Sequence, residues 1–181
     1  IDYGSAADPR SNIVTYLTDG YNGGYWNGIG ISSSVAAAYG LGSRFGVGYA
    51  DGADGLDPDL RSGQLEVAYT LYGDITLKGV VDGADLSIFE DYFGQEVTGG
   101  WAQGDFNYDG VVNAADFALL AENFGMSTTG PVSLPASDWA ALYSFAAANN
   151  LQAYVPEPTG GAMLLISSIG LTKRQRRKAS R

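Results

Sequence analysis

The stretch 'YGDITLKGVVDGADLSIFEDYFG' can be laid without a gap over 'QGDFNYDGVVNAADFALLAENFG', at a period of 31 residues that carries Asp74 onto Asp105. Each copy is a polar twelve-residue loop running directly into a short amphipathic segment. Leu86, Phe89 and Phe93 share one helical face in the first copy, and Phe117, Leu120 and Phe124 share the corresponding face in the second. A single short helix cannot bury such a stripe by itself, so the duplication predicts two helices packed face to face.

The second loop places Asp105, Asn107 and Asp109 at positions one, three and five, Gly110 at six, Val111 at seven, Asn113 at nine and Asp116 at twelve. Short oxygen-bearing side chains at alternate positions wrap around one cation, a glycine at position six permits the sharp turn, and the position-seven carbonyl adds a backbone oxygen. Six to eight oxygens at adaptable distances suit calcium better than magnesium. The first loop departs from this pattern. Asp74, Asp82 and Asp85 keep positions one, nine and twelve, Gly79 keeps the turn and Val80 occupies position seven, but Thr76 stands at three and Lys78 at five. An ammonium has no lone pair to donate. Weak or absent calcium binding is therefore expected in the first loop, with Lys78 pairing with its aspartates in place of the ion.

On the strength of these residues, the segment 73–125 resembles a type I dockerin domain. That resemblance implies two loop-helix repeats, with Asp at position twelve where an ordinary EF-hand has Glu, packed antiparallel around two calcium ions. 'YTLYGD', 'GDFNYDGVVN' and 'ADFALLAENFG' are similar to the dockerin-like tails of exported planctomycete proteins. The resemblance further implies a cohesin-like partner, read in part through the two positions before the last ligand. Here those are Gly83 and Ala84, then Ala114 and Ala115, which carry no hydrogen-bonding side chains.

Upstream, residues 1–72 are rich in glycine and aromatics. 'SNIVTYLTDG' reads as a helix capped by Ser11, with Ile13 and Leu17 on one face and Gly20 at its end. Phe45, Val47 and Tyr49 alternate, as do Leu65, Val67, Tyr69 and Leu71, which predicts two half-buried antiparallel strands joined by the acidic loop 'DGADGLDPDL'. Asp51, Asp54, Asp57 and Asp59 in that loop fit no standard cation spacing and read as a solvated hairpin tip. Tyr21, Tyr25 and Trp26 read as filling of a small core rather than as a platform for sugar rings. Downstream, 126–154 reads as a linker and a helix, 'ASDWAALYSFAAANN', capped by Ser137 and carrying Trp139, Leu142 and Phe145 on one face. The sequence leaves open whether that helix docks on the repeat or spaces the C-terminal segment from it. The fold class expected is α+β and multi-module.

Charge divides the chain in two. Of its 10 basic residues only Arg10, Arg44, Arg61 and Lys78 precede position 173, together with all 20 acidic ones. Such a body repels nucleic acid and accommodates cations. With neither Cys nor His in the sequence, thiolate sites and the commonest metal ligand and general base are excluded. Residues 155–181 combine 'VPEP', an apolar run from Ala162 to Leu171, and a basic end made of Lys173, Arg174, Arg176, Arg177, Lys178 and Arg181. As a helix, residues 160–172 would reach only about 20 Å, against about 30 Å of hydrocarbon. The trailing positive charge would keep this end cytoplasmic.

These three parts resemble the PEP-CTERM sorting signal. The resemblance implies recognition and cleavage by an exosortase near Pro156, Glu157 and Pro158, transient membrane anchoring, and an exported, envelope or extracellular location. No secretory leader is visible at the start, so the chain is expected to be the downstream part of a larger protein. No acidic pair stands out as a catalytic one, so no enzyme activity is expected. The function expected is a non-catalytic, calcium-stapled and sorted tail of a surface protein. Alternatives are the docking tail of a secreted polysaccharide-degrading glycoside hydrolase and a carbohydrate-binding adhesin.

Overall fold

A computed structural model describes residues 1–157. Helix α1 (Arg10–Tyr21) is followed by a short helix α2 (Ser34–Tyr39), a hairpin of β1 (Phe45–Asp51) and β2 (Leu65–Leu71), and the two repeat helices α3 (Gly83–Tyr92) and α4 (Ala114–Asn123). A small ladder of β3 (Met126–Ser127) and β4 (Gly130–Pro131) leads into α5 (Ala136–Asn149). The α+β expectation holds. The segments do not keep separate cores, however: one cluster of buried side chains runs from Ile13 and Trp26 through Tyr49, Trp101 and Phe117 to Leu151.

The hairpin is antiparallel, with Val47 opposite Tyr69 and Tyr49 opposite Val67. Strand β1 is more buried than a two-residue period implies. Its second face, at Gly46 and Gly48, lies against Tyr72 and Trp101, and a Cβ at Gly48 would come within 2.4 Å of the Trp101 indole. Glycine is needed there for close approach rather than for a turn.

Close approach also corrects the first helix. Gly20 does not end it but sits inside, where a Cβ would meet the Ile31 carbonyl oxygen at 1.8 Å; the helix ends at Asn22, left-handed at φ 44°. Its start is one residue earlier than Ser11. Pro9, which has no N–H to leave unpaired, precedes the first turn, and Asp8 Oδ1 accepts the Arg10 N–H at 2.8 Å. Helix α5 likewise begins before Ser137, directly after Pro135.

Helix α5 docks on the repeat. Phe145 packs among Phe89, Phe93 and Phe117 at ring separations of 6.0, 5.1 and 5.4 Å, Trp139 meets the edge of Phe124, and the Gly83 N–H donates to Asp138 Oδ2 at 3.3 Å. Phe89 and Phe117 meet across the repeat at 6.0 Å with their rings tilted by 45°, but α3 packs chiefly against α5, so the expected face-to-face pairing of α3 with α4 is completed by that third helix.

The acidic hairpin loop is not simply solvated. Asp51 is buried, accepts the Tyr3 hydroxyl, and lies with Asp54 around the Arg10 guanidinium at 3.5 and 2.7 Å. Trp26 is buried and donates its indole N–H to the Tyr72 hydroxyl at 2.8 Å, with Tyr21 edge-on to it, whereas Tyr25 is exposed. The three aromatics thus form no shared platform. Among the described residues no helix is long and apolar enough to cross a membrane. Pro158, the apolar run and the basic end from Lys173 to Arg181 lie outside the described residues.

Candidate metal centre

The two repeats are related by an internal pseudo-two-fold, visible in the main chain. The Gly94 N–H donates to the Val112 carbonyl at 2.8 Å and the Gly125 N–H to that of Val81 at 3.0 Å. Val112 and Val81 return bonds to Gln95 and Met126, and Val97 and Thr128 bond Gly110 and Gly79. Every member of each pair is offset by the repeat period, so the chain leaving either helix clasps the other repeat's loop. Positions four and six are left-handed in both loops, at Leu77 (φ 52°) and Gly79 (φ 76°), and at Tyr108 (φ 55°) and Gly110 (φ 86°). A non-glycine residue in this conformation carries a backbone cost, and the surrounding packing holds it there.

In the second loop this turn folds the acidic side chains inward. Asp105, Asp109 and Asp116 each present an oxygen within 4.8 Å of the others, the one such group among the described residues. Asp105 accepts the N–H groups of Asp109 and Gly110 at 3.1 and 3.0 Å. Asp116 accepts those of Phe106, Asn107 and Asn113 at 2.9, 3.2 and 3.0 Å. Asn107 sits beside Asp109, donating its amide to Asp109 Oδ2 at 3.0 Å. Asn113 also caps α4, its Oδ1 accepting the Ala115 N–H, while its amide donates to the Val111 carbonyl. Helix start and cation loop are therefore one construction, a capping box whose inner acid is the position-twelve carboxylate.

The first loop shares the frame but not the cluster. Asp82 and Asp85 form the matching capping box at α3, and Asp85 Oδ1 accepts both the N–H and the hydroxyl of Thr76 at 3.0 Å. Asp74 Oδ2 accepts the Thr70 hydroxyl and the Gly79 N–H, whereas its buried Oδ1 has no partner. Val80 pairs with Ser127 as a β-bridge. The expected substitution of an ammonium for the ion does not occur: Lys78 is exposed and makes no ion pair among the described residues. The Lys78 side chain reaches into water, and a hydrated ammonium is more stable there than when drawn into the loop.

Burial pushes the Asp116 carboxyl up to about 7, with the nearby Asp105 charge adding to it and the backbone donors opposing it. Asp85 is likewise pushed up to about 7 by burial, with the Asp74 charge contributing in the same direction. Asp74 and Asp105 are raised from the ordinary carboxylate range for the same first cause. Inward-facing carboxylates whose pKa burial raises lack a positive counter-charge. Together with the orphaned Asp74 Oδ1 and an all-oxygen donor set, they fit a hard divalent cation. Asp105, Asn107, Asp109, Asp116 and the Val111 carbonyl would hold it in the second loop, with Asn113 shaping the turn.

These shifts make the module sensitive to pH. In ion-free protein, Asp85 and Asp116 hold protons in the folded state at pH values where the unfolded chain has released them. Their contribution to stability is greatest near and below about pH 4 and declines as the pH rises toward about 7. Calcium takes the charged form, so its affinity is expected to rise between about pH 5 and 7.5, with proton release on binding near pH 6. Titration calorimetry in buffers of different ionisation enthalpy counts those protons. Release near zero at that pH would mean that the loop carboxyls are already ionised before the ion arrives.

Spacing alone did not reveal the supports of the loops. Trp101 donates its indole N–H to the Asp74 carbonyl at 2.8 Å, and Thr70 belongs to strand β2 rather than to the repeat. Neither occupies a ligand position, so no sequence pattern marks them. No curated protein and no solved structure is found similar to the chain. The family model of the dockerin type I domain matches residues 72–125, so that segment is similar to a dockerin type I domain, a family of non-catalytic calcium-binding docking modules.

Proposed function

We propose that this chain is the non-catalytic tail of an exported surface protein, in which a dockerin module is stapled by structural calcium and the segment 155–181 acts as a PEP-CTERM sorting signal. The observation that carries the calcium part is the second loop, where Asp105, Asp109 and Asp116 converge inside a turn that the pseudo-two-fold builds twice. The first loop, with Thr76 at position three and Lys78 facing solvent, is the weaker site. A cohesin-like module is the partner that the dockerin match favours.

Sorting by an exosortase, with transient anchoring in the membrane, is favoured by the order of parts in the sequence. The exposure of Pro156 and Glu157, immediately after Val155 packs on the core, also favours access to the motif. Calcium adds stability by mass action because it binds the folded loops. The burial of Trp26 speaks against a sugar platform at the Tyr21, Tyr25 and Trp26 cluster and so against the adhesin reading there.

Calorimetric titration of calcium into the full chain tests the reading. One site is expected, lost in Asp105→Ala, with any second site at least about tenfold weaker because one ligand position holds Lys and another Thr. Two equal sites would overturn the asymmetry between the loops. No heat at millimolar calcium would overturn the calcium-stapled docking module.

A further inference from the structure

Tyr108 occupies position four of the second loop, between Asn107 and Asp109. It is not a ligand position. Its left-handed backbone sends the side chain away from the carboxylates and into the core, where the hydroxyl donates to the Val47 carbonyl of β1 at 2.9 Å. The ring lies 5.8 Å from Tyr21, 6.1 Å from Trp26 and 6.4 Å from Trp101. The loop backbone on both sides of Tyr108 is therefore fixed by a bond to the hairpin, 61 residues earlier in sequence.

The first loop is tied to the same hairpin independently. Thr70 of β2 donates to Asp74 Oδ2, and Trp101, which packs on Gly48 of β1, donates to the Asp74 carbonyl. Asn123 of α4 adds a third tie, its amide donating to the carbonyls of Arg44 and Tyr72 at 3.0 and 2.9 Å, which sit side by side at the open end of the hairpin. The repeat helices differ accordingly. Ala121 of α4 is buried, while Glu90, its counterpart on α3, is exposed.

We infer that Tyr108 is a positioning residue for calcium in the second loop, coupling that site to the β1–β2 hairpin, so that calcium binding and hairpin order reinforce each other. The inference rests on the calcium-binding reading of the loops proposed above. Its physical basis is reciprocal linkage: if an ordered hairpin holds the Asn107–Asp109 backbone in the geometry that suits the ion, the ion must favour the ordered hairpin by the same factor. Residues 1–72 would then be a working part of the calcium module rather than a neighbour of it.

Hydrogen exchange on the full chain, with calcium and with chelator, is the first measurement. Amides of Phe45–Asp51 and Leu65–Leu71 are expected to exchange more slowly with calcium, although none of them lies in a loop. Tyr108→Phe removes one oxygen and keeps the ring. It is expected to weaken calcium binding about three- to tenfold, the equivalent of one net hydrogen bond, and to shrink the calcium effect on hairpin exchange. A purely structural role for the hydroxyl would lower stability equally with and without calcium and leave the affinity unchanged, and that result would overturn the coupling. So would wild-type protein that binds calcium while its hairpin exchange stays the same. Wild-type protein that gives no heat with calcium would instead remove the underlying reading, and the coupling with it.

Discussion

Asp116→Asn is expected to lower calcium affinity in the second loop by at least about 100-fold, the upper end of what losing even an outer support of a metal site costs. The carboxylate gathers three backbone N–H groups, from Phe106, Asn107 and Asn113, while converging with Asp105 and Asp109. An amide presents one oxygen and one NH2, so at least one of those donors is left facing another donor. Orphaning a buried donor costs about 1–3 kcal/mol, and the site loses a full negative charge as well. At pH 8 in chelator the loss of stability should be smaller than in calcium, because the substitution also removes a buried carboxyl that burial already pushes up to about 7. Thermal unfolding in both conditions, alongside calorimetry, separates these effects. Affinity within a few-fold of wild type would exclude Asp116 as a ligand.

Trp101→Ala should produce the largest loss of stability in the described chain. The indole is fully buried, packs against Gly46 and Gly48 of β1, lies 5.1 Å from Phe106 and 5.6 Å from Tyr72, and holds the Asp74 carbonyl. Truncating a core Trp to Ala costs about 3–5 kcal/mol, a large part of the roughly 5–15 kcal/mol that holds a typical domain together. The glycines opposite cannot fill the hole. Trp101→Phe keeps most of the volume but leaves the Asp74 carbonyl unpaired, for a loss of about 1–3 kcal/mol. Denaturant unfolding in chelator measures both. A cost below about 1.5 kcal/mol for Trp101→Ala would show that hairpin and repeat do not share a core in solution.

The parts written locally were legible in the sequence. The turns at Gly79 and Gly110, the starts of α3 and α4 directly after the loops, and the antiparallel pairing of β1 with β2 each follow from residues close together in sequence. One reading failed because the role of the residue is set by something distant. Gly20 resembles a helix stop until Ile31 is seen crossing it. Lys78 resembles an internal counter-ion until its side chain is seen reaching into water.

By itself, then, the sequence determined the two loop turns and the helices that succeed them, because such a loop is built from side chains and backbone within twelve consecutive residues. The tertiary structure alone decided that the hairpin, the 3-10 turn at Gly100–Gln103 and helix α5 complete one core with the repeat. It also decided that Thr70, Trp101 and Tyr108 brace the loops from outside the ligand set. The reason is that burial and close approach depend on which distant surfaces meet: Val47 and Tyr108 become neighbours only when both repeats and the hairpin have folded against the same aromatic side chains.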